Sequence, residues 1–144
     1  MENIPRYIGY LATLPFFLFL FGTFGLEDSG EARNLTLLQS TYSAIILSFL
    51  GGIHWGQAIP RSDNRQLLFS IVPPLVAFGM IIWSMMFDPV MPLFILAALY
   101  WLVFEADKKL MPADYIPVGY FHYRRNITLI VCATLVLSAL ITLL

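Results

Sequence analysis

The sequence predicts an all-α integral membrane bundle of five transmembrane helices. Of its 144 residues, 59% are hydrophobic and 12% are charged, whereas a soluble domain carries roughly a quarter charged residues. The charged residues lie at the N-terminus and between or at the ends of long apolar runs, as in polytopic membrane proteins. Five runs approach the roughly 20 residues that cross a bilayer. We therefore expect a single transmembrane domain over residues 1–144.

Each predicted span is an apolar run bounded by charged or turn-forming residues. The runs cover about 7–26, 36–59, 67–87, 90–104 and 127–144. The first run is read as a retained span, because its start is only weakly basic and Thr23-Phe24-Gly25 is a poor cleavage site for a signal peptidase. Pro15 and Pro73-Pro74 lie within predicted helices, where they produce a packing kink or mark a cavity or hinge.

The distribution of basic residues predicts the orientation. With the N-terminus placed on one side, that side receives all but one of the basic residues, and Arg33 alone lies opposite. Those residues are Arg6, Arg61, Arg65, Lys108, Lys109, Arg124 and Arg125. The positive-inside rule makes this side the cytoplasm, or the matrix of a mitochondrion, and puts the C-terminus outside. The expected location is the bacterial cytoplasmic (inner) membrane, or the mitochondrial inner membrane in a eukaryote.

The segment 105–126 is predicted to be an interfacial loop on the inner surface. Aromatic and basic residues are mixed in it, and both types favour the lipid headgroup region. The residues expected to contact lipid are Lys108, Lys109, Tyr120, Tyr123, Arg124 and Arg125. The alternative is a surface that binds a particular lipid or a protein partner.

Small residues recur every four positions along the second span. The column is Ser40, Ala44, Ser48, Gly52 and Gly56. Such spacing lets two helix backbones approach closely within a bilayer. The column therefore predicts a helix contact, either within one chain or between copies of a homo-oligomer.

His54 is the main candidate for a binding residue. It lies a few residues from the inner end of the second span, and an ionisable group at membrane depth is a functional hypothesis by default. One interpretation is structural, with the ring hydrogen-bonded to water, to Gln57 or to a carboxylate such as Glu105. The other is an inward-facing pocket of His54, Trp55, Gln57 and Glu105 for a quinone-like, lipid or small polar ligand.

Catalytic and cofactor motifs are scarce. Zinc sites need three or four ligands, whereas the chain has two histidines and one cysteine, so no metal and no cofactor is predicted. A bis-histidine haem on His54 and His122, and a bound quinone, stay as alternatives. No catalytic triad, phosphate loop or dinucleotide fingerprint is present, and an enzyme is the least expected class. The formal net charge of −1 indicates no nucleic-acid partner.

The segment Tyr42–Gly56 resembles a known family. It is similar to the small bacterial inner-membrane proteins related to mitochondrial transmembrane protein 69, a group defined by a domain of unknown function. The likeness extends to Tyr7–Leu11, Val72–Leu75 and Tyr123–Arg125. It implies an energy-coupling membrane and supplies no activity or catalytic residues. The leading expectation is a non-enzymatic accessory, assembly or oligomeric module whose partners are membrane lipids, further copies or a larger membrane complex.

Overall fold

The computed structural model describes residues 3–26 and 29–144, with side chains for 6–26 and 30–144. The described chain is all-helical. Its α-helices are α1 (Asn3–Leu11), α2 (Leu14–Gly25), α3 (Ser29–Ala58), α4 (Asn64–Met86), α5 (Val90–Leu110) and α6 (Tyr120–Leu143). Short 3-10 turns follow α3 at Ile59–Arg61 and α5 at Ala113–Tyr115.

Five helical segments are long and apolar enough to cross a membrane, as the sequence predicts. The first combines the end of α1 with α2, and the others correspond to α3, α4, α5 and α6. Many of their large apolar side chains face outward, including Leu18, Phe49 and Phe78. An apolar exterior is the surface that a bilayer solvates, so the fold is that of a membrane-type helical bundle.

The first predicted span is two helices rather than one. Pro15 lies in the first turn of α2. Proline there loses no intrahelical bond, but its ring disfavours a continuous helix through the residues before it. At the break, the hydroxyl of Thr13 donates to the carbonyl of Tyr10 at 2.7 Å. The sequence predicted a kink or hinge at Pro15, and the structure has a helix break at residues 12–13.

The fourth and fifth spans are longer than predicted. The predicted bounds of the loop, 105–126, were therefore too wide. Helix α5 continues to Leu110, and α6 begins at Tyr120. Charged residues lower hydropathy but do not end a helix, and Lys108 and Lys109 suit the negative end of the α5 dipole. Of the charged residues on the added turns of helix, Asp107 and Arg124 lie inside the bundle.

Gly51, one position away from the predicted column, makes the close contact between α3 and α4. A Cβ atom at Gly51 would lie 2.6 Å from the carbonyl oxygen of Ser70 and 2.8 Å from Cδ of Pro74. Pro74 has no N–H to donate to the Ser70 carbonyl four residues earlier. The α3 backbone therefore packs on the part of α4 that the double proline alters.

The predicted small-residue column is divided between interior and surface. Ser40 and Ala44 are fully buried, whereas Gly52 and Gly56 are exposed. Outside the adjacent backbone of α3, a Cβ at Gly52 or Gly56 would meet no atom of the described residues within 4 Å. A contact within the chain at these two glycines is therefore wrong, and a contact with another chain stays a prediction.

Candidate functional site: a buried polar chain beside an apolar cavity

Four helices bring polar side chains together at one end of the bundle. Helices α3 and α5 finish there, and α4 and α6 start there. His54 near the end of α3 is fully buried, and its Nε2 lies 2.8 Å from Oδ1 of Asp107 on α5. Its Nδ1 lies 2.9 Å from the side-chain nitrogen of Gln66 on α4. We call Arg61, Gln66, His54, Asp107 and Arg124 the buried polar chain.

The first turn of α4 places Gln66 against His54. Asp63 caps this helix, and its Oδ1 accepts hydrogen bonds from the backbone N–H groups of Arg65 and Gln66 at 3.1 Å. Such caps satisfy amides that have no partner within the helix. The cap fixes where Gln66 leaves the backbone, and Gln66 itself is fully buried.

Hydrogen-bond complementarity assigns the protonation state of His54. Arg61 can only donate, so the atom of Gln66 that it contacts is the carbonyl Oε1. The amide nitrogen of Gln66 must then face His54 and donate to Nδ1. His54 is therefore neutral, with its single proton on Nε2, which donates to Asp107.

Asp107 and Arg124 form a buried ion pair. Nε of Arg124 donates to Oδ2 of Asp107 at 3.0 Å, and the two side chains are 7% and 2% exposed. Nη1 of Arg124 donates to the hydroxyl of Thr128 at 3.0 Å. Within the described part of the chain, Nη2 of Arg124 has no hydrogen-bond partner. This nitrogen is also enclosed by the protein, with almost no accessible surface.

An apolar cavity of about 600 Å³ lies on the other side of Arg124. Helices α1, α2, α3 and α6 line most of it, with Tyr100 contributed by α5. Its apolar walls include Ile46, Leu50 and Val131. Ile8 and Phe49 also line the cavity and are 61% and 65% exposed, so the cavity reaches the outer surface of the bundle.

Most hydroxyl groups on the cavity wall already donate to backbone carbonyls. Thr13 donates to Tyr10, and Tyr100 donates to Ser43 at 2.7 Å. Tyr123 donates to the carbonyl of Arg6 at 3.3 Å. Arg124 is the charged side chain of this wall. Tyr120, the remaining hydroxyl-bearing residue of the wall, interacts with Arg124.

The residues predicted to line a pocket with His54 are separated in the structure. Asp107, not Glu105, is the carboxylate that His54 contacts, because Glu105 faces outward and pairs with Lys108 at 2.7 Å. Trp55 is 49% exposed. Gln57 joins the site indirectly, since its Oε1 accepts from Gln66 at 3.1 Å. His54 and Gln57 are brought together, whereas Trp55 and Glu105 lie apart.

Arg124 was predicted to contact lipid. That prediction is wrong, because Arg124 is buried in the ion pair with Asp107. Lys108, Lys109 and Arg125 are exposed, while Tyr120 and Tyr123 are half-buried beside the cavity. His122 is exposed, and its Nδ1 lies 3.2 Å from Arg125. Both ring nitrogens of His54 are occupied by protein groups. Among the described residues, no group of three or more His, Cys, Asp or Glu side chains suits a metal ion.

Asp107 and Arg124 were missed as partners of His54 although the sequence carries a signal for both. Tyr100, Val103 and Asp107 follow one another at helical spacing, and so do Arg124, Thr128 and Val131. All six are buried on facing sides of α5 and α6. Extending the helical period beyond the ends of the apolar runs would have placed both charges inside.

Fold and site together define an all-helical, membrane-type protein with a buried ionic network next to an apolar cavity. The chain belongs to the family described as "Protein of unknown function (DUF3429)", whose family model matches residues 1–140. No curated protein and no solved structure matches the chain. The family match carries no link to mitochondrial transmembrane protein 69, so that part of the resemblance stays a prediction.

Proposed function

We propose that this protein is a membrane binding protein for a small apolar or amphipathic molecule, held in the cavity beside Arg124. The observation that carries the proposal is the cavity of about 600 Å³ with apolar walls and the side chain of Arg124 among its lining residues. Ligand pockets occupy roughly 300–1,000 Å³ and combine apolar walls with a few polar groups. This site has that size and that composition.

Energetics also favour an occupant. The apolar part of a ligand would fill space that leaves the side chains of the wall without contacts. The exposed Ile8 and Phe49 give an apolar molecule a route from the surrounding lipid.

In this proposal His54 does not contact the ligand and acts through Asp107 and Arg124. It lies outside the cavity wall, and its contact with Asp107 holds the carboxylate that in turn holds Arg124. Binding requires no chemical step, so the proposed class is a binding or transport protein rather than an enzyme. A quinone-like molecule or a lipid fits the site better than a small polar ligand does, because most of the wall is apolar.

Filling the cavity tests the proposal. Ala12 lines the cavity, so Ala12→Phe should exclude a ligand, whereas Ala133→Phe adds the same ring on an exposed part of α6. Detergent-purified protein is incubated with octadecene, methyl oleate or oleate, and adducts are counted by native mass spectrometry. At least one probe should bind wild type and the Ala133 variant, with about fivefold weaker binding to the Ala12 variant. Equal binding to all three proteins, or binding of no probe, would refute the cavity.

We place the protein in the bacterial inner membrane, or its mitochondrial equivalent, with the N-terminus and the buried polar chain facing the cytoplasm or matrix. The distribution of Lys and Arg supports this orientation. Reporters active only inside or only outside, fused after Leu144, test it directly. The outside reporter should be active, and activity of the inside reporter alone would reverse the orientation.

A partner-binding role is the second candidate. Gly52 and Gly56 leave open space on an outward face of α3, which suits a helix of another copy or of a larger complex. Native mass measurements in mild detergent should show an oligomer or complex that Gly52→Leu disrupts. A monomer in both cases would remove this candidate and leave the cavity proposal untouched.

A further inference from the structure

We infer that a second pocket, between the end of α5 and the start of α6, binds the phosphate head group of an anionic phospholipid. The inference goes beyond the proposed function, because among the described residues this pocket shares no lining side chain with the cavity beside Arg124. Its volume is about 330 Å³. That is near the lower limit of roughly 300 Å³ for ligand pockets, which suits a head group rather than a whole lipid.

The wall of the second pocket carries one more positive charge than negative charge. Lys108 and Glu105 form an ion pair, with Nζ 2.8 Å from Oε1 and 2.7 Å from Oε2. Arg125 forms no ion pair with any carboxylate that the structure describes. Its Nη2 donates instead to Nδ1 of His122 at 3.2 Å. The charge of Arg125 is therefore left for an anion to balance.

The polar side chains of the pocket are donors that suit phosphate. Because Arg125 can only donate, Nδ1 of His122 is the acceptor, and the ring carries its proton on Nε2. His122, Lys108 and Arg125 can then each donate to a phosphate oxygen, and bonds from the two cations are charge-assisted. All three residues are exposed, so a ligand reaches them without a change in the fold.

Aromatic neighbours hold the ammonium group of Lys108 at the pocket. Its Nζ lies 5.0 Å from the centroid of the Phe104 ring, within the range of a cation–π contact. Phe104 in turn packs on Trp101, with the ring centroids 5.6 Å apart. A side chain that is already positioned loses less conformational entropy when a ligand binds.

The aromatic part of the wall favours a lipid over a soluble phosphate compound. Trp101 lies seven positions before Lys108 on α5, about 10 Å at 1.5 Å per residue, within a helix long and apolar enough to cross a membrane. Trp101 is 40% exposed. Tryptophan favours the boundary between head groups and hydrocarbon, and basic pockets between membrane helices bind anionic head groups. A lipid can place its phosphate at Arg125 and its glycerol and acyl chains along Trp101.

Fluorescence of Trp101 reports which lipid occupies the pocket. Trp55→Phe and Trp83→Phe leave Trp101 as the single tryptophan. This protein is reconstituted in phosphatidylcholine vesicles with a minor component of brominated phosphatidylglycerol or brominated phosphatidylcholine, whose acyl chains quench a neighbouring indole. Both lipids carry a phosphodiester, but the choline ammonium cancels its charge. Phosphatidylglycerol should therefore bind about fivefold more tightly than phosphatidylcholine.

Two matched variants separate the pocket from the basic surface in general. Arg125→Gln and Lys109→Gln each remove one exposed positive charge, and of the two only Arg125 lines the pocket. Arg125→Gln should reduce the preference for phosphatidylglycerol to about twofold or less, whereas Lys109→Gln should retain it. Glu105→Gln releases Lys108 from its ion pair and should raise the preference about threefold.

Equal quenching by the two brominated lipids would overturn the inference, and this comparison uses no substitution of a charged residue. Equal losses with Arg125→Gln and Lys109→Gln, or a preference that Glu105→Gln weakens, would contradict it as well. Glycerol phosphate added to the buffer separates the two sources of a phosphate group. Quenching that it leaves unchanged supports the lipid, whereas quenching that it abolishes would assign the pocket to a soluble phosphate compound.

Discussion

The two ends of the bundle use polar groups in different ways. At the end that holds the buried polar chain, charged and amide side chains from four helices contact one another directly. At the opposite end the buried polar groups are neutral and mostly hydroxyls. There Ser40 and Ser84 share a hydrogen bond of 2.6 Å, and Thr36 and Thr142 share one of 3.0 Å.

The two ends also differ in how completely their buried polar side chains are hydrogen-bonded. Gln39, fully buried one turn from Thr36, has neither amide atom hydrogen-bonded within the described residues. Ser138, one turn from Thr142 on the facing helix, has an unpartnered Oγ by the same criterion. Hydroxyls can also donate to a carbonyl of their own helix, as Thr36 does to Ala32 and Thr142 to Ser138. Buried charges need partners on other helices, and so fix how those helices are arranged.

Breaking the ion pair should have the largest effect. Asp107→Ala leaves Arg124 buried without its carboxylate, and the loss of a buried partner costs about 3–5 kcal/mol. Glu105→Ala, on the same helix, removes only an exposed pair with Lys108 and should cost less than about 1 kcal/mol. Thermal unfolding in detergent measures both. Similar losses for the two variants would mean that the polar chain does not stabilise its end of the bundle.

Substitution of Gly51, at the contact of α3 with α4, should lower stability, whereas substitution of its neighbour Gly52 should be tolerated. Gly51→Ala places Cβ against the Ser70 carbonyl, and overpacking costs about 1–3 kcal/mol. Gly52→Ala meets open space and should be neutral or stabilising by up to about 1 kcal/mol, since alanine favours helix. The same unfolding assay applies. The opposite ranking would show that α3 is rotated relative to the structure.

At the end of the bundle opposite the buried polar chain, removing an amide without hydrogen-bond partners should increase thermal stability. Gln39→Met keeps the length of the side chain and removes two buried polar atoms without hydrogen bonds, which cost about 1–3 kcal/mol. We expect a higher unfolding temperature. Gln66→Met is the contrast, because it deprives His54 and Arg61 of a partner and should lower that temperature. Destabilisation by Gln39→Met would indicate a buried water bound to this amide.

The smallest effects should come from the serines at that end. Ser40→Ala removes the bond to Ser84 and should cost about 0.5–1.5 kcal/mol. Ser138→Ala removes a hydroxyl that has no partner among the described residues, so its cost should lie near zero. Matching costs for the two serines, measured by the same thermal unfolding, would erase the distinction between bonded and unbonded hydroxyls.

The order of the spans could be predicted well because hydropathy is a local property. The C-terminal end of α5 and the N-terminal end of α6 could not be predicted, since Glu105, Asp107 and Arg124 end the apolar signal while the helices continue. The same gap explains the choice of Glu105 over Asp107 as the partner of His54. These carboxylates differ by two positions, about 200° around a helix, and which one faces inward becomes predictable only when the helical period of Tyr100 and Val103 is continued past the apolar run.

The sequence by itself determined five apolar segments, a helix distortion near Pro15 and the presence of an ionisable side chain, His54, within the second segment. These follow from residue hydrophobicity and backbone chemistry, which need no neighbours. Only the tertiary structure decided that Gly51 rather than Gly52 meets the proline turn of α4, that His54 is neutral, and that Arg124 lies between Asp107 and a cavity. Each of these depends on which helix faces which, and that is set by packing among segments distant in the chain.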